Sequence, residues 1–202
     1  VRTGPTEDGR CDWCGTDALY VDYHDTVWGR PVDDERELFE KLCLDGQQAG
    51  LSWLTILRKQ SGYQAAFDGF DPEAIARYDD ADIETLLTNP AIVRNRRKVE
   101  SIIRNARALL AMRDAGESFP ALLWSHVDYQ PIQNRWVTMD EVPAHTPQAK
   151  ALSGALKRRG FNFVGPTIVY AFMQAVGMVN DHLVGCPLHE TCRKLGDGRR
   201  FG

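Results

Sequence analysis

The chain has 202 residues, 43% of them hydrophobic and 26% charged, with a formal net charge of −4. That length holds one sizeable core, and the balance is that of a folded domain, which excludes a disordered or low-complexity chain. No apolar run approaches the ~18 residues of a membrane span, and no basic start leads into an apolar stretch, so a cytoplasmic protein without a membrane helix or secretory leader is expected.

Near the start, Cys11-Asp-Trp-Cys14 has the spacing of a metal-binding turn. Residues 18–28 read as a helix that brings Tyr20, Tyr23 and Trp28 near one face; with Trp13 and Trp53 they make the first quarter unusually aromatic. Asp33 or Asp34 can cap a helix carrying Leu38, Phe39, Leu42 and Cys43. It leads into Leu44-Asp-Gly-Gln-Gln-Ala-Gly-Leu-Ser-Trp53, a polar stretch for a junction between helices. Val99, Ile102, Ile103, Ala106, Leu109 and Leu110 recur at helical spacing, with Lys98, Glu100, Arg104 and Arg107 on other faces. Two segments are locally basic, Arg94-Asn-Arg-Arg-Lys98 and Lys157-Arg-Arg159. A net negative chain can still bind nucleic acid, because placement of charge decides the partner. Thr146-Pro147 starts a helix that Gly160 stops, and Pro166 opens another towards Gly177. Few runs alternate with period two, so an all-α chain with little or no sheet is expected.

Three constellations carry chemistry. The first is Gly160-Phe-Asn-Phe-Val-Gly165-Pro166, between two helices. Free backbone N–H groups at a helix start make an anion site, and Gly165 lets a phosphate approach the backbone. This is the logic of a helix-hairpin-helix DNA clamp, and a plain turn between packed helices has the same pattern. The second is the set of thiols. Five cysteines, an odd number, argue against a disulfide framework, and four lie near the termini: Cys11, Cys14, Cys186 and Cys192. His182 and Cys186, four apart, share a face if helical. Cys11 and His24 would complete a closed, structural zinc tetrahedron; Cys11, Cys14, Cys186 and Cys192 form a competing set, and His189 is a further candidate ligand. A zinc deaminase fits poorly, because its Pro-Cys-x-x-Cys element is missing. The third is Asp45 within the aromatic cluster. Aromatic faces attract cations and a carboxylate accepts from an amino group, so the pair suits an electron-poor flat ring.

These residues resemble the bacterial 3-methyladenine-DNA glycosylase I family. The matching stretches are Arg10-Cys-Asp-Trp, Leu19-Tyr-Val-Asp-Tyr-His-Asp, Trp28-Gly, Gly46-Gln-Gln-Ala-Gly-Leu-Ser-Trp, Lys157-Arg-Arg-Gly-Phe-Asn-Phe-Val-Gly and Val179-Asn-Asp-His-Leu-Val-Gly-Cys. They run from about residue 10 to about residue 187, and the second Gly stretch and the Asn-Asp-His-x-Val-Gly-Cys stretch are highly specific. The resemblance implies an all-α helix-hairpin-helix DNA glycosylase fold over 10–190, two lobes allowed, with residues 1–9 and 191–202 as tails. It implies one structural Zn2+ on Cys11, His24, His182 and Cys186, joining the N- and C-terminal segments. It implies a base pocket of Trp13, Tyr20, Tyr23, Trp28, Asp45 and Trp53, with Asp45, Tyr23 and Trp53 as the catalytic set. DNA contacts fall to Leu51, as the wedge into the vacated stack, and to Gly165 and Lys157. The expected activity is excision of 3-methyladenine from double-stranded alkylated DNA by a monomer. Two departures stand out. The family's pocket acid is typically Glu, and Asp45 is shorter by one methylene, roughly 1.5 Å of reach. Where many helix-hairpin-helix glycosylases carry a catalytic Asp, this chain has Asn180, an absence the 3-methyladenine family shares. Asp181, one position on, is not expected to take that role.

Overall fold

A computed structural model describes residues 6–202. A single 3-10 turn at Asp12–Cys14 precedes α1 (Ala18–Thr26), which Asp17 caps by accepting from Leu19 and Tyr20 N–H. Asp34, the second of the two candidate caps, starts α2 (Glu35–Gln47) by accepting from Glu37 N–H. Short helices follow: α3 (Trp53–Leu57), α4 (Gln60–Ala66), α5 (Pro72–Ala76) and α6 (Asp80–Thr88). The long α7 (Arg96–Asp114) is capped by Asn95, and α8 (Phe119–Ser125) by Ser118. After β1 (Ile132–Gln133) come α9 (Pro147–Arg158), with Thr146 as cap and Pro147 first, and α10 (Pro166–Ala175). Then come β2 (Val179–Asn180) and α11 (Pro187–Gly196). The described sheet is one parallel ladder of two residues a side, with Ile132 opposite Val179 and Gln133 opposite Asn180. No described helix is long and apolar enough to cross a membrane.

The fold is organised around two central helices. The apolar stripe of α7 buries Val99, Ile102, Ile103, Ala106 and Leu109, and α5, α6 and α8 pack around it. α10 is more apolar and packs on both α9 and α2. One continuous buried cluster joins these layers from Leu38 to Phe201. The segment after residue 190, read from the sequence as a tail, lies against this core. α11 buries His189 and Cys192, and Phe201 stacks on Trp124 with ring centroids 4.5 Å apart.

Lys98 is a correction to the sequence reading, which set it on an outer face of its helix. It is 7% exposed, and its ammonium donates to the carbonyls of Gln47 (2.7 Å) and Ala49 (2.6 Å) at the C-terminal end of α2. A positive charge at that end is favoured by the helix dipole and satisfies carbonyls left without helical partners. Arg96, of the same basic segment, is likewise spent within the fold, paired with Glu84, and further along α7 Arg107 donates to the carbonyls of Ala76 and Tyr78. Lys98→Met keeps the stem and removes both bonds. It should lower stability by about 2 kcal/mol, seen as a lower urea midpoint at unchanged m-value.

Candidate functional site

Segments from near the two ends of the chain meet at a buried cluster. Cys11, His24, His182 and Cys186 are all buried, and their ligand atoms lie within 4.8 Å of one another. Cys186 Sγ is 3.7 Å from His24 Nε2 and 3.7 Å from His182 Nδ1, and Cys11 Sγ is 3.7 Å from the same His182 nitrogen. Tetrahedral bonds of about 2.3 Å to sulfur and about 2.0 Å to nitrogen put such atoms roughly 3.6 Å apart, so the set fits a metal ion of zinc's size and preference. The outer ring nitrogens are partnered as well: His24 Nδ1 is 2.7 Å from Asp25 Oδ1, and His182 Nε2 is 3.1 Å from the Trp28 carbonyl. Such partners fix each tautomer with its lone pair facing inward. Arg10 grips Asp25 through Nε and Nη2, extending the chain of support outward. Hydrogen bonding with Cys11, then with the two histidines, holds the Cys186 thiol far down, while its thiolate and burial push Cys11 up. Cys14, Cys192 and His189 stand outside the group. Cys14 donates to the Cys11 carbonyl, and His189 Nε2 bonds the Asn134 carbonyl. His182 and Cys186 converge from a turn before α11 and share no helix, contrary to the helical reading of their spacing.

Next to the cluster lies a cavity of about 190 Å³ lined by Trp13, Tyr20, Tyr23, Trp28, Lys41, Asp45, Gln48, Trp53, Met139, Ala171, Gln174 and Ala175. That is smaller than the ~300–1,000 Å³ of pockets for drug-sized ligands, and suits one flat ring. α1 supplies the two tyrosines, the last turn of α2 supplies Asp45, and Ser52 caps α3 so that Trp53 opens it. The rings pack edge-to-face or tilted: Trp13 to Trp28 at 4.9 Å, Trp13 to Tyr20 at 5.1 Å, Tyr23 to Trp53 at 5.5 Å. His182 stands perpendicular to Trp28 at 4.7 Å, so the Cys/His cluster backs the cavity wall. Asp45 is 2% exposed; burial pushes its carboxyl up, against the pull of Lys41. Lys41 Nζ donates to Asp45 Oδ1 at 2.5 Å, and burial pushes its ammonium down. Burial, then the nearby Asp45, pushes the Tyr23 phenol well up, so it stays neutral. Asp45 Oδ2, Trp13 Nε1 and Trp53 Nε1 are buried without partners. Buried polar atoms are normally satisfied, and these three unsatisfied ones belong to residues of one cavity lining.

A family model for methyladenine glycosylases matches residues 13–189. A DNA-3-methyladenine glycosylase of Haemophilus influenzae is 50% identical over 178 residues, covering 88% of this chain and 96% of the relative. DNA-3-methyladenine glycosylase 1 of Escherichia coli is 51% identical over 177 residues, covering 88% and 95%. A crystal structure of a 3-methyladenine DNA glycosylase I superposes with a TM-score of 0.88 at 54% identity, covering 89% of this chain and 99% of the other. The Staphylococcus aureus enzyme, solved for 3-methyladenine recognition, gives 0.87 at 40% identity, covering 90% and 97%.

The chain belongs to the methyladenine glycosylase family.

Within this methyladenine glycosylase the remaining sequence-predicted residues are placed as follows. Leu51 is 40% exposed in the loop between α2 and α3, next to Gly50 at φ +76°. Gly165 caps α10 without a side-chain bond and faces open space, and Lys157 is exposed at the end of α9. Both lie away from the cavity lining. Asn180 donates to Gln133 and to the His189 carbonyl and does not line the cavity. Asp181 is saturated: Asn134 and Trp136 donate to Oδ1, and Tyr170 and Gln174 donate to Oδ2. The sequence reading missed Lys41, Gln48, Met139 and Gln174. For Lys41 the signal was present, since it stands four residues before Asp45 on one helix. Because Asp181 is spent on four donors, Asp181→Asn should cost about 2 kcal/mol of stability while the folded fraction keeps its activity. A stable but inactive variant would instead make Asp181 a reacting group.

Proposed function

We propose that this glycosylase hydrolyses the N-glycosidic bond of 3-methyladenine in alkylated double-stranded DNA, within base-excision repair. The observation that carries the reading is a single buried carboxylate, Asp45, with one oxygen unpartnered, set in a five-ring aromatic cavity the size of one base. Family membership supports it. The target base must leave the stack to reach such a cavity. Tyr20, Tyr23 and Trp53 present ring faces to it, Trp13 and Trp28 close the wall, and Asp45 accepts from its amino edge. N3-methylation makes the base in DNA cationic, which aromatic faces and a carboxylate favour over neutral adenine. The C1′–N bond breaks with its electron pair passing to the base, which leaves neutral. A water oxygen bonds C1′, and its proton goes to solvent. A cationic leaving group needs no general acid, which accords with Asn180 and the saturated Asp181.

In this reading α9, the turn over 159–165 and α10 form the helix-hairpin-helix clamp. Support comes from the open backbone at Gly165 and from Lys157, Arg158, Arg94 and Arg97, which are exposed and make no ion pair among the described residues. Leu51 fills the gap left by the flipped nucleotide. The Cys/His cluster is read as holding one structural Zn2+: two sulfurs and two nitrogens leave no open position, so its contribution is to tie the chain ends together.

Two experiments test this. Incubation with methylated duplex DNA should release free 3-methyladenine, and Asp45→Asn should reduce its single-turnover release rate at least tenfold with fold and metal content unchanged. Unaltered kinetics in that variant would remove Asp45 from the mechanism; binding of damaged DNA with no base released would make the protein a recognition module. Elemental analysis should find one zinc per chain, and Cys186→Ser should lose it together with several kcal/mol of stability. A metal-free protein of equal stability would refute the zinc assignment.

A further inference from the structure

Lys41 lines the cavity and holds the two groups that the proposed base would use. Its ammonium hydrogen-bonds Asp45 Oδ1 at 2.5 Å and lies 3.7 Å from the centroid of the Trp53 ring. These are the two contacts, carboxylate and aromatic face, that a methylated cationic base would make in the same cavity. The other carboxylate oxygen is closed to solvent and has no partner, so in this state neither oxygen of Asp45 is open to an incoming amino group. Keeping Lys41 in place beside a cationic base would crowd two cations around one carboxylate.

The helix offers the ammonium another position. Glu37, Lys41 and Asp45 follow at i, i+4 and i+8 on α2, so Lys41 can pair towards either end. Lys41 lines a second, adjoining cavity with Glu37, Glu40, Gln60 and Gln64. Glu40 already acts on the Lys41 charge from its present position, and its Oε1 accepts from both Gln60 and Gln64. Glu37 is exposed and makes no ion pair among the described residues. A Glu placed before Lys at this spacing is the more favourable orientation, and the flexible four-carbon stem of lysine allows the swing.

We propose that Lys41 is a specificity-determining residue: its ammonium holds the Asp45 and Trp53 contacts that a base needs, and a base binds by displacing it from them towards Glu37. This rests on the cavity being the base pocket. The consequence is a threshold. A cationic lesion replaces both contacts that Lys41 gives up, whereas neutral adenine restores only the hydrogen bond, and discrimination comes from that difference.

The test is binding of 3,9-dimethyladeninium, which keeps the positive charge of the lesion, and of neutral adenine, followed by the fluorescence of the pocket tryptophans, in the unaltered protein, Lys41→Met, Glu37→Gln and the double variant. Lys41→Met removes the competitor and should tighten binding roughly tenfold. Equal or weaker binding overturns the proposal and makes Lys41 a support for Asp45. Glu37→Gln alters an exposed side chain and leaves the core intact, so it remains informative if Lys41→Met fails to fold. It should weaken binding about twofold while Lys41 is present and have no effect in the Lys41→Met background. An equal effect in both backgrounds, or none in either, overturns the displacement towards Glu37. An unaltered protein that neither binds the dimethyladeninium nor releases 3-methyladenine removes the proposed function itself, and this inference with it.

Discussion

Cys11 and His182 are 171 residues apart in the chain and 3.7 Å apart in space. Everything at the pocket depends on that closure. Trp13 follows Cys11 by two positions, Trp28 follows His24 by four, and both rings reach the cavity because their neighbours are held at the cluster. Trp13 lies 5.2 Å from the His24 ring, and the Trp28 carbonyl receives the outer nitrogen of His182. Gly29 shows how little space is left: a Cβ there would stand 2.9 Å from His182 Nε2, and its φ of +81° is one that glycine adopts freely. The junction of the chain ends is thus also the back wall of the site.

The second constraint is electrostatic. An acid placed among aromatic rings is costly to ionise, and this chain offsets the cost with a lysine one helical turn away. The pair makes the cavity lining close to neutral overall. In the proposed reading, attraction for a cationic base depends on the lysine as much as on the acid, because the ammonium holds Asp45.

Much of this was legible in the sequence where a local rule decides. The cap at Asp34, the Thr146-Pro147 start, the Gly160 stop and the apolar stripe of α7 are each short-range signals, and the structure has them. The five aromatic residues line one cavity, and the four ligand residues that the resemblance selected converge. What was not legible depends on tertiary contact. Lys98 reads as a charge away from the core stripe until α2 ends against it, and the place of Lys41 over the Trp53 ring depends on how α2 meets α3. Residues 191–202 carry no motif, yet Phe201 finds Trp124. The His182–Cys186 spacing fits a helix as well as the turn that forms, because four residues bring two side chains together in either.

Gly46 joins the two halves of the site. A Cβ at this position would stand 3.0 Å from that of Phe163, a residue in the turn between α9 and α10 that itself has a φ of +54°. The end of the pocket helix and the turn that faces the DNA backbone in the proposed reading are therefore in close contact, Gly46 against Phe163. Asn105 on α7 locks the same turn, accepting from Asn162 N–H and donating to its carbonyl. In that reading, these contacts hold the cavity and the DNA-facing turn at a fixed offset. The strain of bringing a nucleotide from the stack to the cavity must then be taken up by the duplex. Sites where pairing and stacking are already weakened yield most readily, so the mechanics of the nucleic acid sort the lesions before any contact with Asp45 is made.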